Sequence, residues 1–194
     1  MKNHMIKGII LLFAVTSLSL ISAVNHQKSE KESDKSAGIN GGFEITKNNL
    51  PVNWMMYTPN TVSNSDFKIE LDKHAFKEGL QSLKFDVKKC SSIGGHASPG
   101  FTNEFFDSGK FDGEANYKVS FWYKNNGSRF IVKAGGVSAF EGKMEILIES
   151  EEQVESWKLE EYEIFIPKDK HLRIELNVIK PGIFWIDDVR IKKI

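Results

Sequence analysis

Short runs of alternating apolar and polar residues dominate the chain from residue 82 to its end. This period of two constrains the fold more than any other feature. In YKVSFWY (117–123), Tyr117, Val119, Phe121 and Tyr123 share one face, and Lys118, Ser120 and Trp122 share the other. The alternation recurs in SLKFDV (82–87), RFIVKA (129–134), KMEILIE (143–149), EYEIFIP (161–167), LRIELNV (172–178) and IFWIDDVRI (183–191). Successive side chains of an extended strand point to opposite sides, so such runs, rich in β-branched and aromatic residues, read as half-buried strands. Asn125-Asn126-Gly127, Gly135-Gly136, Pro167-Lys168-Asp169 and Pro181-Gly182 break the runs with turn-forming residues. Helical periodicity is almost absent from residue 39 onward, with one helical turn allowed near His74–Glu78. Many short strands joined by turns predict an all-β domain, an antiparallel β-sandwich of the jelly-roll kind.

The N-terminal stretch has a different character. Residues 1–24 carry Lys2 and Lys7 ahead of an apolar run from Gly8 to Ile21, closed by the small residues Ser22 and Ala23. A charged start, an apolar centre and a small-residue end make a secretory signal peptide, with cleavage expected near Ala23. The alternative is an uncleaved membrane anchor, since the run sits near the lower end of membrane-spanning length; no cysteine follows it to take a lipid. The exported form is therefore expected to be secreted, to the cell surface, periplasm or medium, without a membrane span. Residues 25–38 (NHQKSEKESDKSAG) alternate charges with nothing to seed a core, which predicts a solvated linker. The folded domain is placed at 39–194.

Charge narrows the partners. Of the 194 residues, 26 are Lys or Arg and 26 are Asp or Glu. Losing Lys2 and Lys7 leaves 24 − 26 = −2. A chain this close to neutral lacks the positive excess of a nucleic-acid binder and has no strong field to steer it to anionic surfaces. Cys90 is the only cysteine, which excludes an internal disulfide or a cysteine-rich zinc site.

Three groups of residues, taken together, point further. The domain opens with Asn40-Gly41-Gly42-Phe43-Glu44, then Pro51 and Trp54. Its middle holds Gly79, Ser82-Leu83-Lys84-Phe85 and Tyr117-Lys118-Val119-Ser120-Phe121-Trp122-Tyr123-Lys124. Its end holds Trp157, Phe165-Ile166-Pro167 and Phe184-Trp185-Ile186-Asp187-Asp188-Val189. In order and spacing these resemble the galactose-binding-like β-sandwich family, in particular the carbohydrate-binding modules attached to bacterial xylanases and cellulases. The resemblance spans about residues 39–194. It implies a secreted, non-catalytic module that binds a carbohydrate polymer or glycan. It also implies a structural calcium held by Glu44, the Gly42 carbonyl and Asp187, with Gln81 the nearest candidate for a further ligand; calcium favours such mixed oxygen ligands. The alternative for those carboxylates is plain acceptance of backbone N–H bonds. The alternative for the whole chain is a structural or adhesive surface protein that keeps the sandwich without a sugar site. A monomer is expected.

Sugar rings stack on aromatic faces, which makes Trp54, Tyr57, Trp122 and Phe140 the candidate ligand-binding rings, with Lys118 beside Trp122 as a polar partner. Strand parity puts Trp122 outward, and it is expected on the concave face of one sheet. Trp157 and Trp185 are assigned to the core. The loop Cys90–Phe106 brings Cys90 and His96 within six positions. No third group orients them, so Cys90 reads as an inert thiol. His74, His96 and His171 lack metal-ligand spacing, and no acid–base pair stands out, so no catalytic activity is expected.

Overall fold

The computed structural model describes residues 39–103, 114–138 and 142–194. The expected leader (1–24), linker (25–38) and Phe140 lie outside the described residues. The described chain forms β1 (Thr46–Lys47), β2 (Leu50–Pro51), β3 (Trp54–Tyr57), β4 (Asp66–Asp72), β5 (Ser82–Lys89), β6 (Gly100–Asn103), β7 (Ala115–Asn126), β8 (Arg129–Val137), β9 (Gly142–Ser150), β10 (Val154–Ile166), β11 (His171–Lys180) and β12 (Gly182–Lys193). A small β1–β2 ribbon accompanies two five-stranded antiparallel sheets. The first sheet runs β10-β7-β12-β5-β4 and the second β3-β6-β11-β8-β9. This is the expected β-sandwich. Each alternating run of the sequence lies within a strand, apart from Pro167, which follows the end of β10. The structure adds β3, β4 and β6, and it replaces the helical turn at His74–Glu78 with an irregular loop whose start is set by Asp72 Oδ1 accepting the His74 and Ala75 N–H groups.

The strands form because each buries one face. Leu83, Phe85 and Val87 of β5, Tyr117, Val119, Phe121 and Tyr123 of β7, and Phe184 and Ile186 of β12 point inward from the first sheet. Phe101 of β6, Phe130, Val132 and Ala134 of β8, and Leu172, Ile174, Leu176 and Val178 of β11 meet them from the second. Rings dominate the seam: Phe130 and Phe184 stand 4.5 Å apart between centroids, and Tyr123 and Phe130 stand 5.0 Å apart. Burying such rings removes much apolar surface from water, with an added preference for tilted and edge contacts.

A bulge in β12 decides how the chain ends. Asp187 pairs with Trp122 and Arg190 with Ser120, so β12 carries one residue more than β7 over this stretch. Asp188 absorbs the extra residue with φ 50°, in the left-handed region. The bulge keeps Val189 and Ile191 in the core, while Asp187 stands on the outer side of the sheet. The opening segment docks here, with the Gly41 carbonyl accepting the Val189 N–H at 2.9 Å. The two ends of the domain therefore meet.

Candidate functional site

The five expected ligand-binding residues do not form one site. Trp122 and Lys118 lie on the outer face of the first sheet, as parity predicts. Trp122 is half-buried under the 73–81 loop, and Lys77 Nζ sits 4.0 Å from its ring centroid. Lys118 pairs with Glu161 at 3.1 Å. Trp54 faces the core instead. It is 3% exposed, packs on Phe43 and Phe101, and donates its indole N–H to the Asn40 carbonyl. Its ring is spent on anchoring the opening segment and offers no stacking surface. Trp185 departs from its core assignment in the opposite sense. Phe184 and Ile186 point inward, so Trp185 between them points outward, where it is half-buried, lies 5.5 Å from Lys124 Nζ and donates to Asp72 Oδ2. Trp157 on β10 is also half-buried rather than core.

Tyr57 lies on the outer face of the second sheet, within a polar network that the sequence reading missed. The registers of β3, β6, β11, β8 and β9 align Met55, Thr102, Glu175, Lys133 and Ile146 in one row across all five strands. Within and beside this row, the Tyr57 hydroxyl donates to Glu175 Oε2 at 2.8 Å. The Arg173 guanidinium donates to the same oxygen at 3.2 Å and to Thr102 Oγ1 at 3.1 Å. Thr102 Oγ1 donates in turn to the Ile174 carbonyl. Glu175 is 5% exposed, a deeply placed carboxylate whose charge is met by the guanidinium. Burial, then the bond to Glu175, pushes the Tyr57 hydroxyl above its ordinary pKa, so it stays a donor.

The Cys90–Pro99 stretch forms a wall of this face. Asn177 Oδ1 accepts the Gly95 N–H at 2.8 Å, and its Nδ2 donates to the Gly95 carbonyl at 3.0 Å. Ser98 Oγ accepts the Gly94 N–H and donates to the Ser91 carbonyl. The wall lays the His96 ring 4.6 Å from Tyr57. His96 therefore belongs to Tyr57 and not to Cys90, whose thiol is pushed up by burial. The sequence carried one faint signal of this network: Arg173, Glu175 and Asn177 alternate with Leu172, Ile174, Leu176 and Val178. That marks a strand face too charged to be core, but not what it meets.

The expected calcium ligands gather around residues 77–81. Glu44 Oε1 accepts the Leu80 N–H at 2.8 Å and the Gln81 N–H at 3.3 Å, while Gln81 Nε2 donates to the Phe43 carbonyl at 2.7 Å. Asp187 Oδ2 accepts the Lys77 and Glu78 N–H groups at 2.7 and 3.0 Å, and Oδ1 accepts the Asp188 N–H at 2.7 Å. Both carboxylates thus grip neighbouring residues of one loop. Gly42 is buried beside them in sequence. Among the described residues no three His, Cys, Asp or Glu side chains cluster as a metal site. Two N–H groups occupy Asp187 Oδ2, which leaves Oδ1, Glu44 Oε2 and backbone carbonyls as the oxygens suited to a hard cation. Burial pushes the Asp187 carboxyl up to about 7, against the three N–H bonds that lower it.

Comparison with known proteins supports the architecture. No family model matches the sequence, and no curated protein matches it. Solved structures do. The family 22 module and catalytic module of Clostridium thermocellum endo-1,4-β-D-xylanase 10B, complexed with xylohexaose, match with a TM-score of 0.55 at 16% identity, over 73% of this chain and 26% of that one. The first family 22 xylan-binding domain of Paenibacillus barcinonensis Xyn10C matches with a TM-score of 0.57 at 11% identity, over 79% of this chain and 91% of that one. The enzymatically active domain of bacteriophage CBA120 tailspike protein 4 matches with a TM-score of 0.56 at 11% identity, over 80% of this chain and 21% of that one. The fold is that of the family 22 carbohydrate-binding modules. It is a β-sandwich, the architecture that the alternating runs predict. At these identities the likeness is one of fold, so the chemistry of the site rests on this chain's own residues.

Proposed function

We propose that this chain is a secreted, non-catalytic carbohydrate-binding module that takes a poly- or oligosaccharide on the outer face of the second sheet. The observation that carries this reading is the Tyr57–Glu175–Arg173–Thr102 network. It is built from β3, β6 and β11, and it is pre-organised before any ligand arrives. Glu175 Oε2 is committed to Tyr57 and Arg173, while Oε1 has no hydrogen-bond partner among the described residues and can accept sugar hydroxyls. Lys133 is the cross-strand neighbour of Glu175 on β8, so an acceptor and a donor stand on the same face of the sheet. Sugar hydroxyls need both, and groups already held in place lose little freedom on binding. The cross-strand neighbours of Glu175 are Thr102 and Lys133, not the second carboxylate that glycoside hydrolysis ordinarily takes. The family 22 neighbours, a xylan-binding domain and a module complexed with xylohexaose, support this reading through the fold alone.

Titration calorimetry of the folded domain with xylohexaose and a panel of neutral glycans tests it. Binding is expected, and Glu175→Gln should weaken it about tenfold or more, the size of one well-made hydrogen bond to a charge. Trp122→Ala should leave it within about twofold, because that ring lies on the opposite sheet. A folded protein that binds none of the panel, or one whose binding follows Trp122 and not Glu175, overturns the assignment.

We further propose that a structural calcium sits between Glu44 and Asp187. Support comes from the two carboxylates converging on one loop and from the unfavourable burial of Asp187 without a cation. Bound there, calcium would supply fixed positive charge that keeps Asp187 ionised and ties the opening segment to β12.

A further inference from the structure

Lys133 is half-buried, and among the described residues no carboxylate lies within ion-pair distance of it, although Glu175 is its direct cross-strand partner. The reason is local. Arg173 and Tyr57 hold Glu175 on the far side of the row, toward β3 and β6. Lys133 instead runs along Asn177 toward the 91–99 wall, where its Nζ stands 3.9 Å from the place a Cβ on Gly94 would occupy. Among the described residues the floor carries two cationic groups, Arg173 and Lys133, and one carboxylate, Glu175, which Arg173 and Tyr57 already engage. A lysine held on this face with no carboxylate in reach among the described residues can be met by an anion supplied from outside. The Tyr57 ring is covered by His96, so it cannot offer the stacking face that favours a neutral pyranose.

We infer that this face prefers a uronate-bearing glycan, with the Lys133 ammonium meeting the sugar carboxylate while Glu175 accepts a hydroxyl of the same or the next ring. This rests on the carbohydrate-binding reading above and narrows it to an acidic saccharide. The partner follows from charge and geometry. A carboxylate beside a hydroxyl matches an ammonium beside a carboxylate acceptor, and a whole protein near neutrality supplies no general attraction for polyanions.

The experiment compares two ligands that differ by one group, a neutral xylo-oligosaccharide and the same oligosaccharide carrying one glucuronate, by calorimetry at low and at physiological salt. The acidic ligand should bind about tenfold more tightly, with a margin that shrinks as salt rises. Lys133→Gln should erase the margin, so that this variant binds the acidic and the neutral ligand with equal affinity. Lys124→Gln, on the opposite sheet beside Trp185, should leave the margin intact. Melting curves confirm that each variant is folded. Equal binding of both ligands, or a margin that survives Lys133→Gln, or one that vanishes with Lys124→Gln, overturns the acidic preference and leaves the carbohydrate reading standing. Binding of neither ligand, with the rest of the glycan panel also negative, sinks both.

Discussion

Asp187 shows how one residue can carry an architectural load that its neighbours in sequence do not reveal. It is fully buried on the outer side of β12, under the 73–81 loop, and its oxygens take three backbone N–H groups. Its pKa in the fold is about 7, against 3.8 for the unperturbed group, and burial is the leading cause. Between those values the folded state holds a proton that the unfolded state has released. Stability from this group is therefore full below about pH 4, falls as pH rises, and levels off above about pH 7. With a chelator present, denaturant melts should show a loss on the order of a few kcal/mol across that interval. Asp187→Asn should flatten the slope. Saturating calcium should flatten it too and raise the melting temperature near neutral pH, because a ligand bound only by the folded state stabilises it. Identical curves in calcium and chelator from a metal-free sample would remove calcium from the account and leave Asp187 as a hydrogen-bonding anchor.

Elements here are tied by side chains placed at their ends. Asn125, near the end of β7, is completely buried. Its Nδ2 donates to the Ser128 and Glu152 carbonyls, each at 2.8 Å, and its Oδ1 accepts the Ser128 N–H at 3.2 Å. One amide thus closes the β7–β8 hairpin and fastens it to the connection between β9 and β10. Asn125→Ala would strand three backbone groups and is expected to cost about 2–4 kcal/mol. Asn126→Ala, one residue on and exposed, should stay within about 0.5 kcal/mol. Urea titrations would read the difference as a shift in midpoint at constant slope, and equal shifts would refute the role of Asn125. Gly79 shows a second kind of fastening. Its φ is +67°, and a Cβ would meet Glu44 Oε1 at 2.1 Å, so the loop can approach the opening segment only because the residue is glycine.

At the scale of the whole molecule, two sheets share one aromatic seam and present unlike outer faces. On the first sheet Trp122 and Trp185 are matched with lysines, and the second sheet carries the Tyr57–Glu175–Arg173 network. The two tryptophans at issue should therefore behave differently. Trp54→Ala empties a core position between Phe43 and Phe101 and should cost about 3–5 kcal/mol. Trp122→Ala removes a half-buried ring and its contact with Lys77 and should cost nearer 1 kcal/mol. Thermal melts of the two variants would decide it, and a larger loss for Trp122→Ala would reverse the assignment of faces.

Alternation by itself determined the β class, the sandwich and the inward sets, because strand parity is local: Tyr117, Val119, Phe121 and Tyr123 must share a side wherever the strand lies, and Trp122 must oppose them. The opening and closing motifs likewise pointed to the family whose fold the domain has. What parity could not determine was cover. Trp54 and Trp185 exchanged places because a short strand such as β3 contains too few residues to show its period, and because Trp185 is set by its neighbours Phe184 and Ile186. The site was beyond local reading for a stronger reason. Tyr57 and Glu175 are 118 residues apart in the chain, and the network exists only because β6 lies between β3 and β11 in the second sheet. Hydrogen bonds across such a distance depend on which strands become neighbours, and that order is settled by packing the two aromatic faces together.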